Sequence, residues 1–173
     1  MSDFQKICEW VLRQEDSTLS GKVVNLMDGQ GLTRYGIAQH SHPSLPADFY
    51  TKAPALALMD AEQIYKGEYW DRFMGDHIND DGVASCLLSF SINDGECREV
   101  MMLQRVLGFT VQDGIMGIQT LMATNKMEPV ALAAQLRIAQ ANFYRMLAAK
   151  QPTDQRFLAG WLTRAYRIYP SLV

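Results

Sequence analysis

Residues 83–92, Val-Ala-Ser-Cys-Leu-Leu-Ser-Phe-Ser-Ile, contain no charged side chain and show no evident solvent face. A helix that is apolar nearly all round has to be covered by other helices. Asn79-Asp80-Asp81-Gly82 precedes it as a turn that also supplies an N-cap, and Asn93-Asp94-Gly95 breaks it. The apolar stripes available to cover it lie over 54–75, 96–107, 129–150 and 155–169. The turn at 79–82 is too short for a linker, because domain boundaries fall in longer polar stretches. The expectation is a lobe over 1–80 packed directly on a helical lobe over 81–173, as one compact unit.

The rest of the chain agrees with an all-α class carrying one irregular loop. Phe4, Ile7, Cys8 and Val11 recur at helical spacing over 3–15, with Ser2 available as a cap. Residues 16–36 hold Gly21, Gly29, Gly31 and Gly36, with β-leaning pieces at 23–24 and 32–35 that allow a small hairpin. Pro43, Pro46 and Pro54 mark a connection over 41–54. A helix over 54–66 follows, and Gly67 is placed to bend it before Tyr69, Trp70 and Phe73. The helix over 96–107 stops at Gly108, and a glycine-punctuated loop leads to a short helix over 118–124. Pro129 starts a long helix to Lys150, with Leu132, Leu136, Ala139, Phe143 and Leu147 as its expected buried stripe. After Pro152, Thr153 or Asp154 can cap a last helix bearing Phe157, Trp161 and Tyr166.

Composition narrows the function. The net charge is −3, from 16 basic and 19 acidic residues, which argues against a protein that grips nucleic acid. No run of about 18 apolar residues suggests a membrane span. Residues 1–15 lack the basic start and apolar block of a secretory signal, so a wall target implies another exit route. Cys8, Cys86 and Cys97 match no zinc spacing and are expected as buried thiols. His40 and His42 have no convincing further ligand nearby, and no metal or cofactor is implied.

Glu15 stands out. It follows Phe4, Cys8 and Val11 at spacings that continue one helix face, and it falls in the last helical turn. Burial and the helix dipole both disfavour its charge, the setting a general acid for glycoside cleavage needs. The alternative is a helix-end Glu turned to solvent. In the next loop, Asp28 offers a second carboxylate and Thr33 a hydroxyl to position water. Asp28 also suits a plain turn before Gly29. Tyr65, Tyr69 and Trp70 could stack on sugar faces, or serve as core. The segment 113–120 opens a helix whose amides could meet a carboxylate or acetamido oxygen. Alternatively, Asp113 simply bonds the turn backbone, with Gly117 needed for close packing.

Glu15 followed by Asp28-Gly29-Gln30-Gly31-Leu32-Thr33-Arg34-Tyr35-Gly36-Ile37 resembles the Glu…Asp-x-Gly-Gly-x-Thr-x-x-Gly-Ile signature of glycoside hydrolase family 108. Those enzymes are lysozyme-like muramidases of phages and bacteria. Ile64-Tyr65, Tyr69-Trp70-Asp71 and Asn93-Asp94-Gly95 continue the likeness. Leu103-Gln104-Arg105, Asp113-Gly114-Ile115 and Gly160-Trp161-Leu162-Thr163-Arg164 are similar to the peptidoglycan-binding module that accompanies the family. The departures are Asp16-Ser17 where the family has Gly-Gly, extra residues before Asp28, Gln30 for a Gly, and Ser89 where Asp is common.

The resemblance implies a lysozyme-like helical fold that cuts the β-1,4 link between N-acetylmuramic acid and N-acetylglucosamine. Glu15 matches the catalytic Glu, and Asp28 and Thr33 match the Asp and Thr after it, as in the set of T-even phage lysozyme. Tyr35, Tyr69, Trp70 and Asn93 are the expected substrate-binding residues. The expected partner is bacterial peptidoglycan, with no nucleic acid or membrane. A phage endolysin would add a holin; a bacterial effector would add secretion machinery or an immunity protein. Two rivals fit the same residues: a non-catalytic wall-binding or secretion-helper protein, and a helical adaptor in which Glu15 is structural.

Overall fold

The computed structural model describes residues 1–25, 29, 31–42 and 44–170. Its helices are α1 (Phe4–Glu15), α2 (Pro54–Ile64), α3 (Asp81–Asp94), α4 (Glu96–Val106), α5 (Ile118–Lys126), α6 (Pro129–Lys150) and α7 (Gln155–Ala165). A small antiparallel sheet, β1 (Val24–Asn25), β2 (Leu32–Arg34) and β3 (Ile37–Ala38), fills the loop after α1. The fold is thus mostly helical with one small β element, as the sequence predicts.

α3 is the centre. Gly82 through Leu88, Phe90 and Ser91 are buried, and the helix packs on α1, α4 and α6. Ser85 and Ser91 satisfy their hydroxyls by donating to Gly82 O (2.7 Å) and Leu88 O (3.0 Å), so they can sit in an apolar core. Asp80 caps the helix by accepting from Val83 N at 2.9 Å. The helix runs through Asn93 and Asp94, and Gly95 alone breaks it, at φ +88°.

α1 lies between two core clusters. Ile7 and Val11 join Leu87, Leu103 and Leu136 in the larger one. Cys8 and Leu12 join Ile37, Phe49 and Tyr65 in the other. Asp3, not Ser2, caps α1, accepting from Lys6 N. Ser2 instead ties the chain start to Ile78 O through its backbone N–H (2.8 Å) and hydroxyl (3.0 Å). One core thus contains residues from both sides of position 80.

Two expectations need correction. The buried stripe of α6 is Leu132, Leu136, Gln140, Tyr144 and Ala148, not Ala139, Phe143 and Leu147. Polar residues are accepted there because each has a partner: Tyr144 Oη donates to Asp94 Oδ2 (2.7 Å), and Gln140 Nε2 to Cys86 O (3.4 Å). Cys8 and Cys86 are buried, and burial pushes both thiols up to about 12, but Cys97 is exposed.

Candidate active site

The site begins where α1 ends. Asp16 is the C-cap, extended at φ −141°, and its side chain gathers the next loop. It accepts from Gly21 N (2.8 Å), Ser20 Oγ (3.0 Å) and Thr18 Oγ1 (3.3 Å). Burial opposes its charge, but these donors outweigh burial and hold Asp16 below the usual carboxylate value.

β2 and β3 are joined by Tyr35-Gly36, with φ of +52° and +77°, the double left-handed pair that a tight two-residue hairpin requires. This turn presses on the end of α1. A Cβ at Gly36 would stand 3.0 Å from Glu15 Cγ and 2.9 Å from Tyr65 Oη. Tyr65 Oη donates to Tyr35 O at 2.7 Å and locks the turn from below. Arg34 is buried and clamps the surrounding loops, donating to Gly21 O (2.8 Å), Phe49 O (2.7 Å) and Lys52 O (2.9 Å). The result is an open cleft of about 440 Å³, lined by Glu15, Asp16, Lys22, Thr33, Tyr35 and Gly36 among others.

Glu15 and Thr33 therefore share one cleft, with Thr33 held by pairing to Val24 and Ala38. The enclosure that helical spacing suggested for Glu15 is absent. The residue sits at the open end of α1, with its side chain 25% exposed. Its polar partner is Arg164 of α7, whose Nη2 lies 3.2 Å from Glu15 Oε1. Arg164 also donates through Nη1 to Asn93 Oδ1, so the exposed Asn93 is drawn toward the same point. Asp28 lies outside the described residues.

The aromatic residues divide. Trp70 is 0% exposed: its ring packs between Phe4 and Phe73 over Gly75, and its Nε1 donates to Asp76 Oδ1 at 2.8 Å. It presents no face to a sugar, which corrects the stacking role expected for it. Tyr35 is 3% exposed, and its hydroxyl donates to Pro54 O at 3.1 Å, so only the edge of this residue reaches the cleft. Trp70 ends a π-helical turn at Tyr65–Trp70 that brings it into the core, whereas Tyr35, in the hairpin turn, packs into the core between α1 and α2 with Leu12 and Ala61. Tyr69 remains half-buried beside the His42 ring. His42 is itself buried, with Nδ1 2.8 Å from Glu68 Oε2, and no metal-holding cluster occurs among the described residues.

In the second lobe, Gln104 organises the loop before α5. Its Nε2 donates to Asp113 Oδ1 (2.7 Å), and its Oε1 accepts from Gly114 N (3.0 Å). Asp113 also accepts from Ile115 N (2.9 Å), as a turn residue does. Gly114, at φ +73°, is the close-packed glycine: a Cβ there would meet Cys97 Sγ at 2.5 Å, whereas Gly117 has open space.

Sequence reasoning missed Arg34 and Arg164 as site-building residues. Arg164 sits in the Gly160–Arg164 stretch that resembles the binding module, but its reach to Glu15 spans 149 positions and leaves no local pattern.

Comparison with known families bears on this arrangement. The glycosyl hydrolase 108 family matches residues 8–95, and a predicted peptidoglycan domain matches residues 98–166. The chain belongs to glycosyl hydrolase family 108, and the two matches together define a peptidoglycan hydrolase. Among solved structures it is similar to SagA of Brucella abortus, at 28% identity and a TM-score of 0.75, covering 94% of this chain and 88% of that one. No curated protein matches the chain.

Proposed function

We propose that the protein is an N-acetylmuramidase that cleaves the β-1,4 bond between N-acetylmuramic acid and N-acetylglucosamine, with Glu15 as general acid. The observation that carries this reading is the opening of Glu15 into a cleft shared with Thr33, built by a hairpin turn pressed against the Glu15 side chain. Protonated Glu15 donates to the bridging oxygen as the bond to the anomeric carbon breaks, and the departing sugar leaves with a free hydroxyl. Water completes the reaction at the anomeric carbon, with Thr33 orienting it and a second carboxylate balancing the charge or taking its proton. Asp28 is assigned that second role on its place in the family signature alone. Asp16 is a poorer choice, since three donors within the loop already engage its oxygens.

Asn93, held by Arg164 beside Glu15, and the half-buried Tyr69 are the residues proposed to meet sugar. No described helix is long and apolar enough to cross a membrane. The protein is proposed to reach the wall through a holin or a secretion machine, and an immunity protein would guard a producing bacterium.

The test is zymography and reducing-end release on purified sacculi. Glu15→Gln is expected to lower turnover by roughly two orders of magnitude or more, the scale of general-acid help. The wild-type products are expected to end in reducing N-acetylmuramic acid by mass spectrometry. A folded Glu15→Gln protein with full activity overturns the mechanism, and reducing N-acetylglucosamine ends overturn the bond assignment. Wall binding without any cleavage by the wild type would favour the non-catalytic rival.

A further inference from the structure

A second cleft, of about 430 Å³, runs along α7 beside the Glu15 cleft, and its charge is of one sign. Arg156, Arg164 and Arg167 line it together with Thr163, Trp161 and Gln14, and no carboxylate is among its lining residues. This concentration occurs in a chain whose net charge is −3.

The guanidinium groups are held in place. Arg156 lies over the Phe157 ring at 4.5 Å, and Arg167 Nη1 donates to Gln14 Oε1 at 2.8 Å. Arg164 is fixed by Glu15 and Asn93. Trp161 stacks on Tyr144 at 5.4 Å. Gln14 Nε2 is buried and has no hydrogen-bond partner among the described residues. A groove of arginine forks beside one aromatic suits a peptide bearing several carboxylates, because guanidinium pairs with carboxylate in bidentate geometry.

The position selects the ligand. Gln14 and Arg164 border this groove, and the adjacent Glu15, paired with Arg164, opens into the other cleft. In peptidoglycan, the muramic acid beside the scissile bond carries an acidic stem peptide through its lactyl ether. We infer that the α7 groove binds this stem peptide through its free carboxylates, and so distinguishes peptide-bearing from bare glycan. The inference rests on the proposal that peptidoglycan is the substrate, and it assigns the peptide's place. The groove also lies across the junction of the two family matches, taking Gln14 from one and α7 from the other.

The test uses the whole chain and needs no turnover. Titration calorimetry with soluble muramoyl tetrapeptide is expected to show binding that weakens as salt rises, as charge pairing does. The same peptide with its carboxylates amidated is expected to bind about tenfold or more weakly, as is the free acid to an Arg156→Gln/Arg167→Gln variant. Both substituted residues are exposed, and a matching melting temperature establishes that the variant is folded. Equal affinity for the acid and the amidated peptide, or an unchanged affinity in the folded variant, overturns the inference. The probe contains no glycosidic bond, so an active Glu15→Gln protein sinks the mechanism without touching this result. Loss of peptide binding with Glu15-dependent cleavage intact sinks the groove alone.

Discussion

Arg164 Nη2 stands 3.2 Å from Glu15 Oε1, although the two residues are 149 positions apart. The side chains are 28% and 25% exposed, so the contact contributes little to stability, about 0–1 kcal/mol. Its consequence is positional: α7 holds the carboxyl group of α1 at a fixed place in the cleft.

Arg164→Met is therefore expected to lower kcat by about tenfold or more while KM changes less, because misplacing a reacting group reduces rate steeply. Arg164→Lys should recover only part of the loss, since a point charge lacks the fork that reaches both Glu15 and Asn93. Steady-state kinetics on soluble glycan, with a thermal melt shifted by no more than about 1 kcal/mol, checks this. An equal rise in KM with kcat unchanged would mean that Arg164 only binds substrate.

Gly36 sets the other side of Glu15. Gly36→Ala meets both a left-handed φ of +77° and a contact of 3.0 Å with Glu15 Cγ. It is expected to destabilise the protein by about 1–3 kcal/mol and to reduce cleavage beyond what the folded fraction explains. Denaturant melts and activity per folded molecule separate the two effects.

Glu99 is 0% exposed, and neither carboxylate oxygen has a partner among the described residues. Burial first, then the charge of Asp94, raises its pKa well above 4.5. The folded state therefore binds a proton that the unfolded state releases. Its stabilising effect is complete below pH 4.5 and is lost as pH climbs toward the folded value. Glu99→Gln, which never ionises, should match the wild type near pH 4 and exceed it increasingly toward pH 8. An advantage of about 1 kcal/mol would raise Tm by roughly 2–4 °C at this chain length. Melts across that range with a constant difference would contradict the assignment.

A fragment of residues 1–80 is expected to be unfolded and inactive. Ile7 and Val11 would lose their cover from Leu87, Leu103 and Leu136, and the Asp3 N–H would lose its acceptor, Asp81 Oδ1, at the start of α3. Exposing such side chains forfeits about 1.5–3 kcal/mol each. Circular dichroism of the fragment and its lysis of cell walls test this directly. A helical, lytic fragment would make the lobe after residue 80 a detachable module.

The elements that were legible in the sequence are those whose signal is local. The apolar run became α3, Gly108 ended α4, Pro129 opened α6, and the β-leaning pieces at 23–24 and 32–35 supplied the paired β1 and β2, although Tyr35 proved to be the turn into a third strand. The second half of α6 misled because Gln140 and Tyr144 are polar yet buried, and their partners lie more than 45 positions away. Trp70 misled for the opposite reason: a residue type suited to sugar was enclosed by a π turn that no spacing announces. Within the site, Glu15 and Thr33 were found through their order in a motif, whereas Arg164 acts through a contact that only the folded chain creates.

The burial of α1 against α3 also bears on how the protein is made. Ile7, Cys8, Val11 and Leu12 leave the ribosome well before the helix that covers two of them, which begins at Asp81. Until then the nascent chain carries an unsheltered apolar stripe, and contacts between distant parts of a chain form slowly. Arg164 arrives later still, after α6. The Glu15–Arg164 contact thus forms only after α7 has been made, so a ribosome-bound chain that has not reached α7 is a client for chaperones before its cleft is assembled.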